Sequence, residues 1–333
     1  MLRIGIPRAF YYYKFFNLWP RFFFYAGAEP VISPPTNKLI VNAGINMSVD
    51  EMCLPFKVYL GHMQALQNEC DVIFVPRLVS IEKRCYTCPK VLGLPDIVRL
   101  IFPEEKLFMP IINQYNGHEP EEFLNETAHL LNISKRKIWQ AWEKASKDAH
   151  MEFSAELLPA DFLGQTKVSS KNYFKGKLAL LGHSYNIYDS FTTMNLIDKI
   201  RTLGFQVITS ETIPKEDIKK EAEMLPKHMF WSMGKELLGA AKLLLRNKTV
   251  DGIIYLACFG CGADALIAEL VMRYSARKGD TPFLMLNIDE HSGEAGLITR
   301  VEAFTDMLTR RKASGENNFS AYGNTQYSRE GIV

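Results

Sequence analysis

Short apolar runs ending near Pro, Gly or Cys alternate with helical stretches along most of the chain, and this alternation leaves few folds open. Leu2–Pro7 reads as a strand, and a helix over Tyr11–Ala26 follows, with Gly27 as its stop. Pro30–Ser33 is a second strand. Ser48-Val49-Asp50-Glu51 resembles a capping box for a helix reaching Gln67, while Pro55 offers a later start that leaves Cys53 just before the helix. Asp71–Pro76 is dense in β-branched and aromatic residues, as a strand should be. A long loop then carries Cys85 and Cys88 to a helix over Leu94–Ile101 and a strand over Lys106–Ile112. Residues 117–171 are charged and helical in pattern, with no convincing strand. The alternation then resumes with strand Lys177–Leu181, helix Ile187–Leu203 and strand Phe205–Thr209. A long helix over His228–Arg246, strand Asp251–Cys258, helix Ala263–Arg277, strand Pro282–Ile288 and a final helix over Gly296–Arg311 complete it. The spacing predicts two parallel α/β sheets. The expected division is an N-terminal α/β domain over 1–116, a helical connecting segment over 117–175, a C-terminal α/β domain over 176–312 and a mobile tail over 313–333.

Bulk properties remove several function classes. At 333 residues the chain is long for one core, and 47% apolar composition is ample for two. A formal net charge of +2 gives no strong field to recruit nucleic acid or a membrane surface. No signal peptide opens the sequence, and no apolar stretch is long enough to span a bilayer. The aromatic run Phe10–Tyr25 is broken by Lys14, Asn17, Pro20 and Arg21. The expectation is a cytoplasmic protein, whose thiols stay reduced and free for metal or redox use rather than disulfides.

Six cysteines then stand out. Four form two C-x-x-C pairs, Cys85/Cys88 in R-C-Y-T-C-P-K and Cys258/Cys261 in A-C-F-G-C-G-A-D. Cys53 lies in E-M-C-L-P-F-K, and Cys70 directly precedes an apolar run. In parallel sheets, ligands collect beyond the carboxyl ends of the strands. Both pairs follow strands at that end, so one cleft between the domains can receive thiols from both halves. Four readings stay open: an iron-sulfur cluster, a structural zinc site, thiol–disulfide redox, and small buried hydrophobes. Zinc ribbons draw both pairs from one compact unit, whereas these pairs lie far apart in the chain. For a cluster, Pro55, Pro89, Gly260 and Gly262 would let backbone amides approach the sulfides, and Lys57 and Lys90 would offset anionic charge. Cys70 fits the buried-hydrophobe reading best.

The motifs I-G-I-P-R-A-F, E-M-C-L-P-F-K, D-V-I-F-V-P-R and C-P-K-V-L-G-L-P-D in the first half resemble one protein group. G-H-S-Y-N-I-Y-D, C-F-G-C-G-A-D and N-I-D-E-H-S-G-E-A-G-L-I-T-R-V-E-A-F in the second half resemble the same group. It is the acyl-CoA dehydratase activase-related, or CoA protein activase, proteins, which stand with 2-hydroxyacyl-CoA dehydratase and benzoyl-CoA reductase subunits and double-cubane cluster proteins. The resemblance covers most of residues 1–312. It implies two Rossmann-like domains around an oxygen-sensitive cluster, reduced by an ATP-hydrolysing activase that carries its own iron-sulfur cluster. Dehydratase relatives hold a 4Fe–4S cluster by three cysteines with one iron open. Double-cubane relatives hold an 8Fe–9S cluster by six. Carried over by position, Cys53, Cys88 and Cys261 are the implied ligands, with Cys258 next as a fourth. Cys85 is an extra relative to the commonest C-P-K motif. The 4Fe–4S form is preferred, and six cysteines would allow the double cubane arithmetically. The chain is shorter than the dehydratase subunits and shows neither a CoA-binding region nor the Gly-rich phosphate loop of an ATP-binding activase.

The implied activity is low-potential electron transfer or reduction of a small substrate. The alternatives are a 2-hydroxyacyl-CoA dehydratase subunit, a non-catalytic cluster carrier or a zinc-bound structural protein. His183, with Tyr185 and Asp189 after the first strand of the second domain, is a candidate proton donor; a loop histidine bonded to backbone is the alternative. Glu290 and His291, with Asp289 and Glu294, form a carboxylate–histidine group for metal or proton relay; acids complementing a helix N-terminus are the alternative. Arg8 is a candidate partner for the cluster or an anionic substrate. The aromatic run has more rings than one helix face can bury, which points to a homodimer or partner surface unless the helix packs between sheet and neighbouring domain. Lys135-Arg136-Lys137 and Arg310-Arg311-Lys312 read as solvated faces.

Overall fold

The computed structural model describes residues 1–151, 174–278 and 281–314. Its two main sheets are parallel throughout. The first contains β1 (Arg3–Ile6), β2 (Glu29–Ile32), β3 (Val72–Phe74) and β5 (Leu107–Phe108), in the order β2-β1-β3-β5. β4 (Arg77–Ser80) and β6 (Ile111–Asn113) pair with each other, also in parallel. They continue β3 and β5 past Pro76 and Pro110. The Val75 amide donates to the Phe108 carbonyl at 2.8 Å and the Arg77 amide to the Pro110 carbonyl at 2.8 Å, so the ladder carries on across the prolines. A proline has no N–H to give, which splits the expected strands Asp71–Pro76 and Lys106–Ile112 into shorter pieces.

The second sheet contains β7 (Gly176–Gly182), β8 (Phe205–Ile208), β9 (Gly252–Cys258) and β10 (Phe283–Ile288), in the order β10-β9-β7-β8. Every residue of β9 is buried, as a central parallel strand covered on both faces requires. The expected fold class of parallel α/β sheets is therefore the observed one.

Two expected helices are broken. Tyr11–Ala26 is in fact Tyr12–Phe15 and Trp19–Ala26, because the Pro20 ring would clash with the Phe16 carbonyl in a continuous helix. Gly27 does end the second piece, with φ +93°. Ile187–Leu203 is in fact Ser184–Ile187 and Leu196–Thr202. Asp189 Oδ1 accepts from the amides of Phe191 and Thr192, both at 3.1 Å, and turns the chain out of the helix. A helix over Lys38–Asn46 was not anticipated, although Asn37 caps it by accepting from the Leu39 and Ile40 amides.

The connecting segment contains helices Glu121–Leu130 and Lys135–Met151; residues 152–173 lie outside the described residues. The last helix, Glu294–Ser314, runs one residue beyond the position where the tail was expected to start, and residues 315–333 of that tail lie outside the described residues. The aromatic run is almost wholly interior. Phe10 to Tyr13, Phe16, Trp19, Phe22 and Phe23 are buried, and Phe24 is 63% exposed. Phe22 packs edge-on to Trp142 of the connecting helix, so these rings face that helix rather than outward. Phe10 meets Tyr185 edge-to-face at 5.3 Å, joining the first half to the second within one apolar cluster. No helix among the described residues is long and apolar enough to cross a membrane.

Candidate metal centre

Cys53 sits at the N-cap of helix Leu54–Leu66, in extended backbone with φ −66° and ψ 149°. The helix thus starts next to Pro55, not at the Ser48 capping box, because proline is preorganised for the first turn. Cys88 repeats this geometry at the N-cap of helix Pro89–Leu92, with φ −68° and ψ 154°. Cys261 directly precedes helix Gly262–Lys278, and its carbonyl accepts from the Ala265 amide at 3.1 Å. Three thiols therefore stand at the starts of three helices, where free amide hydrogens point outward. The nearby amides favour the thiolate form: Phe56 at Cys53, Val91 and Lys90 at Cys88, and Asp264 at Cys261. Cys258 ends β9, and the Leu54 amide donates toward its sulfur.

These loops meet across the two halves. Gly260, with φ +76°, lies so close to the Cys53 turn that an added Cβ would stand 3.4 Å from the Glu51 carbonyl oxygen. Lys90 Nζ donates to the Gly260 carbonyl at 3.0 Å and to the Glu51 carbonyl at 3.4 Å, tying the Cys88, Cys53 and Cys261 loops together. The segment before Cys88 is pinned to the second half by the Tyr86 amide donating to the Phe230 carbonyl at 2.6 Å. Lys57, buried at 1% side-chain exposure, pairs with Glu290 at 2.5 Å and also donates to the Asp50 carbonyl. Burial pushes the Glu290 carboxyl up, but the Lys57 hydrogen bond and charge outweigh it and hold the group below the usual carboxylate range.

All four thiols are held above the ordinary cysteine value, first by burial. Neighbouring thiols add to the effect: Cys53 acts on Cys88, Cys258 and Cys261, and Cys88 acts on Cys261. Lys90 opposes it at Cys53 and Cys88. Gathered thiols with raised proton affinity need a cation to ionise together, so this soft donor set fits a metal or metal cluster.

The other candidates divide. Cys70 donates to the Leu66 carbonyl at 3.2 Å beneath Gly5, away from the other thiols. Cys85 is fully buried, donates to the Met229 carbonyl at 3.6 Å, and is pushed up to about 12 by burial and by Glu82. Its charged neighbours are Glu82 and Lys235, not the cysteines of the cleft. Arg8 leans toward the Tyr12 ring and serves a buried polar network. In that network His62 bonds Ser33 and Thr36, both at 2.9 Å, and Thr36 donates to Asp189 at 2.6 Å. His291 is exposed, its amide donating to Asp289 Oδ1. An added Cβ on Gly262 would meet nothing within 4 Å.

His183 is 3% exposed and belongs to the cleft: its Nε2 lies 4.0 Å from Cys261 Sγ and 3.4 Å from Asp264 Oδ1. Its ring is 5.0 Å from that of Tyr185, a residue in the field of Cys261, Cys88 and Cys53. Asp264, fully buried, was not singled out from the sequence. It stands in the quoted C-F-G-C-G-A-D motif, three residues after Cys261, and that helix N-terminal spacing was the available signal. His62 was also missed, since a histidine on an apolar helix face carries no local mark.

Residues 3–213 match the family model described as CoA enzyme activase uncharacterised domain (DUF2229). The match takes in Cys53, Cys85, Cys88 and His183 and ends before the Cys258/Cys261 loop. No curated protein matches the chain. With more than half of its length matched, the chain belongs to the CoA enzyme activase uncharacterised domain family.

Proposed function

We propose that the protein is an iron-sulfur protein related to the 2-hydroxyacyl-CoA dehydratase and benzoyl-CoA reductase subunits. It would carry a 4Fe–4S cluster on Cys53, Cys88 and Cys261, with Cys258 alongside. Its role is low-potential electron transfer or reduction of a small substrate, with an ATP-hydrolysing iron-sulfur activase as electron donor. The observation that carries this reading is the convergence of three helix-capping thiols from both halves into one cleft. Their spacing favours several metal ions over one. Among the described residues, the group of three metal-type donors lying within 4.8 Å of one another is His183, Cys261 and Asp264, and the three thiols do not close to that distance. A single zinc ion with Zn–S bonds of about 2.3 Å would need its sulfurs within about 4.6 Å.

When bound, the cluster supplies one-electron chemistry at iron. The chain's own residues supply the rest. Cys53, Cys88 and Cys261 would hold the iron, and the amides of Phe56, Lys90, Val91, Leu54 and Asp264 beside the thiols would temper the negative charge on sulfur. Lys90 adds a cation at the rim. Burial of Cys53 and Cys258 keeps water from that side of the cleft.

Protein purified without oxygen should be brown, with broad visible absorption and matching iron and acid-labile sulfide. Cys261→Ser should lose most of that iron, whereas Cys70→Ser and Cys85→Ser should retain it. Colourless protein carrying stoichiometric zinc would overturn the reading.

A further inference from the structure

Two cavities, of about 290 and about 180 Å³, adjoin where side chains of the first half face those of the second. The larger is walled by rings and aliphatic groups, among them Phe15, Leu18, Trp19, Ile112 and Trp142. The smaller carries Ile81, Ile218 and Ala222 together with the ion pairs Lys14–Glu236 and Lys235–Glu82. Lys14, Ile81 and Lys215 line both, so they form the waist where one cavity meets the other. Joined, the two have the size of a small-molecule site, about 300–1,000 Å³, and such sites collect between packed units of a fold.

The waist decides the chemistry of an occupant. Two ammonium groups line both cavities, and among the described residues no carboxylate does. The neighbouring acids are engaged. Glu236 pairs with Lys14, Glu82 with Lys235 at 3.5 Å, and Glu119 accepts from Trp142 Nε1 at 2.8 Å. Glu211, which lines neither cavity, accepts from Ser210 Oγ at 3.0 Å and Tyr188 Oη at 3.2 Å. Glu216 and Lys219 are exposed at the rim. Burial and the Lys14 charge hold the Lys215 ammonium below the usual lysine range, although Glu236 and Glu211 oppose them. An ammonium has three donor hydrogens, so Lys14 and Lys215 can each serve an acceptor beyond the partners they have. An anion at the waist would offset both the burial and the mutual repulsion.

We propose that the joined cavity binds a small carboxylic acid with an apolar, ring-bearing body. Its carboxylate lies at the waist against Lys14 and Lys215, in charge-assisted hydrogen bonds. Its body fills the larger cavity among Phe15, Trp19 and Trp142, where offset and edge-on ring contacts add to apolar burial. An uncharged analogue keeps only the apolar share of that binding, and a cationic one meets two like charges. No cysteine lines either cavity among the described residues, so this site stands apart from the thiol cleft and needs no metal.

The test is isothermal titration calorimetry on the full chain with phenylacetate as the probe, and phenethyl alcohol and phenethylamine as its uncharged and cationic counterparts. Phenylacetate should bind at one site, the alcohol about tenfold more weakly and the amine more weakly still. Lys215→Met, at the exposed side of the waist, should weaken phenylacetate by about tenfold and leave the alcohol unchanged, whereas Lys215→Arg should keep the acid. Ser146→Trp, which places a further ring in the larger cavity, should abolish binding of both acid and alcohol. Cys261→Ser should bind phenylacetate as the wild type does. Absence of phenylacetate binding overturns the proposal, as do equal affinities for acid and alcohol. Binding untouched by both Lys215→Met and Ser146→Trp, or lost in Cys261→Ser, puts the acid elsewhere and overturns it as well.

Discussion

The two sheets share one strand order and use it differently. Numbered within each half, both run second, first, third, fourth: β2-β1-β3-β5 and β8-β7-β9-β10. In each, connections from the first strand diverge to opposite sides, which opens a crevice at the carboxyl ends. After β1 comes Pro7-Arg8-Ala9-Phe10, and after β7 comes His183-Ser184-Tyr185. Phe10 and Tyr185 meet face to edge, but the polar residues go different ways. Arg8 joins the buried His62–Asp189 network, whereas His183 turns to Asp264 and the thiols. The third strands differ too. β9 runs straight into Cys258, while β3 is bent at Pro76 and a long loop passes before Cys88. The first half therefore supplies its thiols from helix caps far from the strand ends, and the second supplies them at the strand end itself. Neither half alone assembles the site.

The sharpest way to break this comparison is at the packing that holds Cys53. Gly61 and Gly44 lie where helices Leu54–Leu66 and Lys38–Asn46 touch, and an added Cβ on Gly61 would stand 1.9 Å from the Ile40 carbonyl oxygen. Backbone cannot move aside as a side chain can, so Gly61→Ala should cost at least about 3 kcal/mol in urea unfolding. Gly262→Ala, beside Cys261 in the second half, meets nothing and should stay within about 0.5 kcal/mol. Equal losses would show that the two halves hold their thiols in the same way.

The bond between the halves comes next. Glu290→Gln leaves the Lys57 ammonium buried without its counter-charge and should cost about 3 kcal/mol. Lys57→Met should cost less, because Glu290 is the more exposed partner and its carboxylate can reach water. Unfolding curves that rank them in reverse would remove Lys57 as the buried charge of the pair.

The smallest effect is a pH slope from the buried network in which His62 of the first half reaches Asp189 of the second through Thr36. Burial, helped by the Arg8 charge, depresses His62 from 6.5 to about 3. A depressed value means that its contribution is whole above pH 6.5 and is lost as the pH falls toward 3. Burial raises Asp189 above its usual 3.8, which has the opposite sign: its contribution is whole below 3.8 and declines as the pH climbs past that value. The melting temperature should fall on acidification through the His62 window, and His62→Gln should flatten the slope there. An unchanged slope would assign the acid sensitivity to other groups.

Much of the scaffold was legible. Strands such as Leu2–Pro7 and Asp251–Cys258 announce themselves by β-branched runs stopped by Pro, Gly or Cys, and the observed strands fall within or beside them. The broken helices were not legible, because periodicity continues through Pro20 and Asp189 while the backbone does not. Cys85 and Cys88 look equivalent in R-C-Y-T-C-P-K. Only the turn at Arg84, with φ +60°, and the link from Tyr86 to Phe230 send one thiol toward Met229 and the other to the cleft. Asp264 was written in its motif, but its role needs His183, and that contact forms only when β7 and β9 lie side by side.

What the sequence determined by itself is local. Pro55 and Pro89 start helices next to Cys53 and Cys88, and Gly260 permits the turn before Cys261, because backbone preference depends on immediate neighbours. What only the tertiary structure decided is which of those groups meet. Lys57 finds Glu290, Lys90 finds Gly260 and His183 finds Asp264 across long stretches of chain, since strand order and helix packing, not adjacency, set those distances.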